Sequence, residues 1–218
     1  MNENRQYHEM LSAAIRRMKD VDIPAAAKRS GMTFDHTSGQ IAFLSFGEKT
    51  VIDTSTLQAA APMEMWQHLA ILQYLETADG SRPTDRWISM ADLNEGGMIR
   101  GASFDREIDN MIADRLGKYP PEHIRAAFER LGAAFHEHSR ADLCADFLFL
   151  PCFPLRLNLW FADDEFPASG KLLINDGVKH CLGTEAIGTV GVLLVQKLCR
   201  ACDTNLNLKH NIVSSVYR

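Results

Sequence analysis

Phe147-Leu-Phe-Leu-Pro-Cys-Phe-Pro-Leu-Arg-Leu-Asn-Leu-Trp160-Phe-Ala-Asp-Asp-Glu-Phe-Pro167-Ala-Ser-Gly-Lys-Leu-Leu-Ile-Asn-Asp176 is the stretch on which the reading of this chain turns. Two apolar runs flank the acidic segment Asp163-Asp164-Glu165-Phe166-Pro167, and the second run closes on Asn175-Asp176. Apolar runs bounded by turn residues read as paired strands. The polar groups then stand at the strand rim, where pockets commonly form.

Working outward, the period changes from strand to helix on both sides. Met10, Leu11, Ala14, Ile15 and Met18 recur at three- and four-residue spacing, which predicts a helix over 5–19. A short helix from Pro24 to Ser30 starts at proline and stops at Gly31. Ile41–Phe46 and Thr50–Asp53 read as strands around a Gly47-Glu48 hairpin. Residues 63–78 carry a wide apolar arc (Met65, Trp66, Leu69, Ile71, Leu72, Leu75) and predict a largely buried helix. Trp87–Met90 reads as a strand and Glu95-Gly96-Gly97 as a turn. Helices are expected at about 103–116 and 121–131, ended by Gly117 and Gly132. A last helix runs from Thr184, its N-cap, to Arg200, with Gly188 and Gly191 permitting close approach to a sheet. The tail over 203–218 reads either as an edge strand at Asn205–Lys209 or as mobile.

Helices and antiparallel strands are segregated in this pattern rather than alternating. The expected fold is therefore α+β, a mostly antiparallel sheet packed by several helices. It reads as one domain: an N-terminal helical segment (1–38), a main body (39–202) and a C-terminal tail (203–218).

Composition limits the function classes. With 218 residues, 46% hydrophobic and 23% charged, the chain can bury roughly 70% of its unfolded surface without disulfides or metal. A net charge of -5 argues against nucleic-acid binding, and Arg16-Arg17-Lys19 reads as a solvated helix face. No run approaches the ~20 apolar residues of a membrane span and no signal-peptide core is present, so a cytoplasmic protein with no membrane association is expected. Five cysteines, an odd set, fit reduced thiols. Phosphate-loop, dinucleotide-fold, nucleophile-elbow and His-Glu-x-x-His motifs are all missing from the sequence.

In order and spacing, several of these pieces resemble the family catalogued as domain of unknown function 3786, over about residues 40–200. The likeness rests on Phe46-Gly47 with Val51-Ile52-Asp53, Ile71-Leu72-Gln73-Tyr74-Leu75, Trp87-Ile88-Ser89, Gly96-Gly97 and Leu131-Gly132. It is strongest at Leu159-Trp160, Asp164-Glu165-Phe166-Pro167-Ala168, Leu172–Asp176 and Leu182 with Thr184-Glu185. Asn175-Asp176 stands where the family looks to carry Phe-Asp, and His68 where an aliphatic residue is usual. The resemblance implies no settled activity. It implies an origin in anaerobic bacteria and, through an iron–sulfur domain carried by some members, a link to corrinoid or one-carbon metabolism. No four-cysteine cluster motif occurs here.

Candidate sites carry paired readings. Asp163-Asp164-Glu165 is a turn with Asp bonding backbone amides, or a place for a hard cation or an acid–base carboxyl. Cys199-Arg-Ala-Cys202 ends a helix on this reading, where the dipole disfavours a thiolate, and core cysteines are expected. His68, on the buried arc, is a structural histidine or an axial ligand to metal or tetrapyrrole. His180-Cys181 beside Thr184-Glu185 is a surface loop or an anion-facing junction. Trp87 and Trp160 read as core anchors, with pocket walls as the other possibility.

The functional expectation is a non-catalytic binding or accessory protein. Its pocket would lie between the strands of 147–176 and the helices 63–78 and 184–200, lined by Asp164, Glu165, Trp160, Asp176 and Tyr74. Were corrinoid or haem the ligand, His68 or His180 would be the axial group, and an iron–sulfur or corrinoid protein a partner. The alternatives are an enzyme using Asp164 or Glu165 on a small metabolite and a protein-interaction scaffold.

Overall fold

The computed structural model describes residues 3–93, 98–137 and 140–216. Helices α1 (Glu3–Met18) and α2 (Ile23–Arg29) precede strands β1 (Thr33–Asp35), β2 (Gln40–Ser45) and β3 (Glu48–Asp53). Helix α3 (Met65–Thr77), strand β4 (Trp87–Ile88) and helices α4 (Met98–Asp114) and α5 (Pro121–Arg130) follow. Strands β5 (Ala134–Phe135), β6 (Leu143–Leu150), β7 (Phe153–Trp160) and β8 (Ser169–Asn175) lead to helix α6 (Thr184–Val216). One sheet has the order β1-β2-β3 and the other β4-β8-β7-β6-β5, all neighbours antiparallel. The fold is α+β, as the segregated pattern predicts.

The strand period builds the core. Ala145, Phe147 and Phe149 of β6, Leu155, Leu157 and Leu159 of β7 and Leu172 and Ile174 of β8 alternate onto one face and are buried. They share a single core with Ile71, Leu72 and Leu75 of α3, Phe128 of α5, and Ile187, Leu194 and Leu198 of α6. Each such side chain contributes roughly 1.5–3 kcal/mol relative to exposure. The opposite face is polar. There Arg156 clasps Asp146 through two hydrogen bonds (2.6 and 2.9 Å) and lays its guanidinium 4.2 Å from the Trp87 ring centroid. Trp87 and Trp160 are thus half-buried on the outer face, not core anchors.

The first apolar run is two strands rather than one. Pro151-Cys152 turns the chain between β6 and β7, and the register slips between Leu148 and Leu150. Pro154 sits beside that irregularity, where a missing N–H is tolerated. In the smaller sheet, the turn between β2 and β3 is Phe46-Gly47, one residue earlier than expected. Both residues have positive φ (48° and 76°), the pattern of a two-residue hairpin whose twist matches its strands. The Phe46 amide donates to the Leu148 carbonyl (2.8 Å), tying the two sheets together.

Three further differences have local causes. The strand at Trp87 stops at Ile88, because the Met90–Leu93 turn has its leading amides bound by Asp105 of α4. The Glu95–Gly97 turn lies outside the described residues. Helix α6 does not end at Arg200 but continues to Val216, about 50 Å in all, since no glycine or proline follows Gly191 to stop it. The alternation at Asn205–Lys209 therefore marks no strand. Cys199 and Cys202 consequently lie within a helix, and burial pushes the Cys202 thiol up to about 12. Gly191 does meet the sheet: a Cβ there would stand 2.7 Å from Leu172 Cδ2 of β8. Gly188 instead admits the Phe104 ring of α4.

Asp53 closes β3 with a local turn. Its Oδ1 accepts from the Ser55 hydroxyl (2.6 Å) and from the amides of Ser55 and Thr56 (3.0 and 2.9 Å). The Ser55 hydroxyl first, then the Thr56 bonds, hold its carboxyl down at about 2. A depressed folded value stabilises the native state above the unfolded value of 3.8, and that contribution is lost as pH falls through about 2. A carboxyl-detected NMR titration should place the Asp53 midpoint near 2. A midpoint near 4 would show that the turn does not hold the carboxylate.

Candidate functional site

Between α1, α3 and the start of α6, packing opens into a cleft of about 850 Å³. Helix spacing explains its walls. On α3, Trp66, Ala70, Gln73 and Thr77 follow one another at three- and four-residue intervals, so they form one stripe on an otherwise buried helix. Gln6, Met10 and Arg17 form the matching stripe on α1. The first turn of α6 (Thr184–Ala186) supplies the third wall and Phe104 of α4 an aromatic edge.

One end is closed by charge: Arg17 Nε donates to Glu76 Oε1 at 2.6 Å. The basic cluster of α1 is therefore not merely a solvated face. At the other end Trp66, Phe104 and Thr189 also border a smaller hollow of about 290 Å³. The lining is mixed: Met10, Trp66, Leu69, Ala70 and Phe104 are apolar, Arg17, Glu76 and Glu185 carry charge, and the Gln6 and Gln73 amides can donate and accept. The Thr77 hydroxyl is engaged with the Cys181 carbonyl (2.6 Å), which pins the chain entering α6 against α3. Among the described residues no cysteine, histidine or serine lines this cleft.

The expected site residues are not gathered there. Asp164 and Glu165 are exposed in the β7–β8 connection, and neither lines the cleft or the shallow hollow bordered by their neighbours Asp163, Phe166 and Pro167. Asp163 beside them caps the turn, its Oδ1 accepting from the amides of Phe166 (2.7 Å) and Glu165 (2.9 Å). Those bonds hold its carboxyl below the ordinary range. Trp160 does edge a shallow hollow with Asp142, Phe161 and Phe166, its indole N–H donating to the Arg140 carbonyl.

Asp176 stands at the far end of β8. There the Lys179 ammonium (2.9 Å) holds its carboxyl low, with Arg86 3.9 Å away. His180 is exposed four residues later. Tyr74 is buried on the sheet-facing side of α3, and burial, then the neighbouring Cys152 and Cys181, push its phenol up. His68 is buried with both ring nitrogens engaged: Nε2 lies 2.7 Å from the Leu57 carbonyl and Nδ1 3.4 Å from the Tyr7 hydroxyl.

The cleft residues were missed because each looks ordinary alone. The available signal was the polar strip Gln73, Glu76, Thr77 on a helix whose other faces are apolar. Among the described residues, no cluster of three or more His, Cys, Asp or Glu side chains is placed to hold a metal. No helix among them is long and apolar enough to cross a membrane.

No curated protein and no solved structure matches the chain. The family model described as domain of unknown function (DUF3786) matches residues 22–197, and the chain belongs to that family. The match runs from the N-cap of α2 into α6 and thus includes every strand of both sheets.

Proposed function

We propose that this member of the family is a non-catalytic cytoplasmic binding or accessory protein that holds a small organic molecule with both apolar and polar groups in the α1–α3–α6 cleft. The supporting observation is the cleft itself. Its volume of about 850 Å³ falls within the ~300–1,000 Å³ of small-molecule sites, and its apolar side chains beside converging amides and carboxylates offer contacts for both parts of such a ligand. The Gln6 and Gln73 amides would meet a carbonyl or hydroxyl on the ligand.

A corrinoid or haem takes an axial donor, and the sulfur the cleft offers, the Met10 thioether, is a weak one. Both His68 nitrogens are engaged, His180 lies off the cleft, and no histidine lines it. The tetrapyrrole version, with its place in anaerobic one-carbon metabolism and its iron–sulfur or corrinoid protein partner, is thus less well supported than a smaller organic ligand. The enzymatic version fares similarly, since Asp164 and Glu165 stand in open solvent without the enclosure that tunes a catalytic acid.

Titration with anilinonaphthalene sulfonate, an apolar fluorescent probe, tests the reading. The wild-type protein should bind the probe, and Ala186→Trp, which fills the cleft from the first turn of α6, should weaken binding about tenfold with an unchanged circular dichroism spectrum. Equal binding by both proteins would remove the cleft as the site.

A further inference from the structure

One end of the larger sheet carries side chains that neither the core nor the cleft uses. Asp142 leads into β6, Trp160 and Phe161 end β7, and Ser169 opens β8. The β7–β8 turn folds beside them and borders a hollow of about 600 Å³. That turn is braced in both directions. The Asp163 amide donates to the Phe166 carbonyl (3.0 Å), and Asp163 Oδ1 accepts from the Phe166 amide (2.7 Å). Phe166 is thereby held with its ring 67% exposed, more than any other large apolar side chain among the described residues. Trp160 is fixed from the other side, through its indole N–H on the Arg140 carbonyl. A single exposed ring needs no explanation, but three rings gathered at one hollow form a recognition surface.

The charge around these rings has one sign. Asp142 and Asp163 line the hollow, and no lysine or arginine does. Each carboxylate has one oxygen engaged: Asp142 Oδ2 accepts from the Phe161 amide (2.7 Å), and Asp163 Oδ1 holds the turn. Neither is ion-paired among the described residues. Aromatic faces draw a cation to within about 6 Å of the ring centroid. A metal ion is poorly served, since two carboxylates fall short of its oxygen shell and no cluster of three metal-holding side chains occurs among the described residues. A primary ammonium or a guanidinium would leave N–H donors unpaired against the rings. We propose that this hollow binds a quaternary ammonium ion, its methyl groups against Trp160, Phe161 and Phe166 and its charge balanced by Asp142 and Asp163. None of these residues lines the α1–α3–α6 cleft, so the site stands independently of any ligand there.

Choline titration of the full chain, followed by amide and indole NMR, tests the site. The Trp160 indole and Phe166 amide signals should shift together and saturate, while the Trp66 indole in the cleft stays unmoved. Dimethylbutanol, the uncharged carbon isostere of choline, should bind about tenfold more weakly. Phe166→Leu keeps an apolar side chain without an aromatic face and should weaken choline about fivefold. Asp142→Asn retains an acceptor for the Phe161 amide and should weaken it about threefold. A trimethyl-lysine peptide, titrated in parallel, identifies the source of the ammonium. Saturation by either ligand supports the site, and the tighter one says whether the group arrives on a free molecule or on a protein. Absence of a saturable shift with both overturns the proposal. So does an isostere that binds as tightly as choline, or wild-type affinity in Phe166→Leu.

Discussion

Gly47→Ala should lower stability by roughly 2–5 kcal/mol, a large share of the 5–15 kcal/mol that holds a domain of this kind together. Two independent penalties add. At φ 76° any side chain enters the left-handed region, which costs ~1–2 kcal/mol. The new Cβ would also stand 2.8 Å from the Leu131 carbonyl carbon and 2.9 Å from the Gly132 nitrogen, so backbone rather than a pliable side chain must yield. Overpacking of that kind typically costs a further ~1–3 kcal/mol. Gly39 supplies the internal control. Its φ is 64°, but a Cβ there meets only Thr54 Oγ1, at an ordinary 3.7 Å. Gly39→Ala should therefore show the conformational penalty alone. Urea unfolding of the two variants separates the terms, and equal losses would show that the Gly47–Leu131 approach carries no energy of its own.

That approach also explains what the sequence could reveal of the fold. Phe46-Gly47 and Leu131-Gly132 are recognisable as turn signals from composition, but nothing in either dipeptide says that the two turns touch. The α+β class, the buried α3 and the β7–β8 pairing follow from local periodicity, and periodicity is a local property. Where the reading departs from the structure, the cause is a tertiary partner. Asp105, fifteen residues from Met90, ends the β4 region by capping the next turn. At α6 the cause is an absent one, because the helix meets no breaker after Gly191.

The site was less legible than the fold for the same reason. Charged residues at a strand rim, such as Asp164-Glu165, are conspicuous in a sequence; Asp163 shows that such a cluster can be occupied in making its own turn. The cleft depends on two helix stripes some sixty residues apart, joined by Arg17 and Glu76. Neither stripe is unusual until they face each other. Tyr74, expected among the pocket-lining groups, lies buried beside the Phe153 ring of β7, a contact that no local pattern encodes.

Asp105→Ala should cost about 3–5 kcal/mol, the second large effect, because one buried carboxyl group serves three partners. Its Oδ1 accepts from the Met90 amide (3.0 Å) and its Oδ2 from the Ala91 amide (3.1 Å), with Lys171 Nζ 3.7 Å from Oδ2. Bonds to a charged acceptor contribute ~1.5–3 kcal/mol each, and losing the acceptor leaves the buried Met90 amide unsatisfied. Asp105→Asn keeps one acceptor oxygen and should lose about half as much. Lys171→Met should cost about 1 kcal/mol, since that ammonium is partly exposed, its contact with Asp105 is long and its closer partner Asp109 (3.0 Å) is itself partly exposed. The predicted order is therefore Ala, then Asn, then the lysine variant. Gly101, one helical turn before Asp105, makes the contact possible: a Cβ there would collide with the Met90 carbonyl oxygen, so α4 can seat on this turn only without one. Hydrogen exchange at Met90 and Ala91 gives the decisive reading. Both amides should lose protection in Asp105→Ala and keep it in Lys171→Met. Protection lost equally in the two would mean that the ion pair, rather than the capped turn, fastens α4 to the sheet.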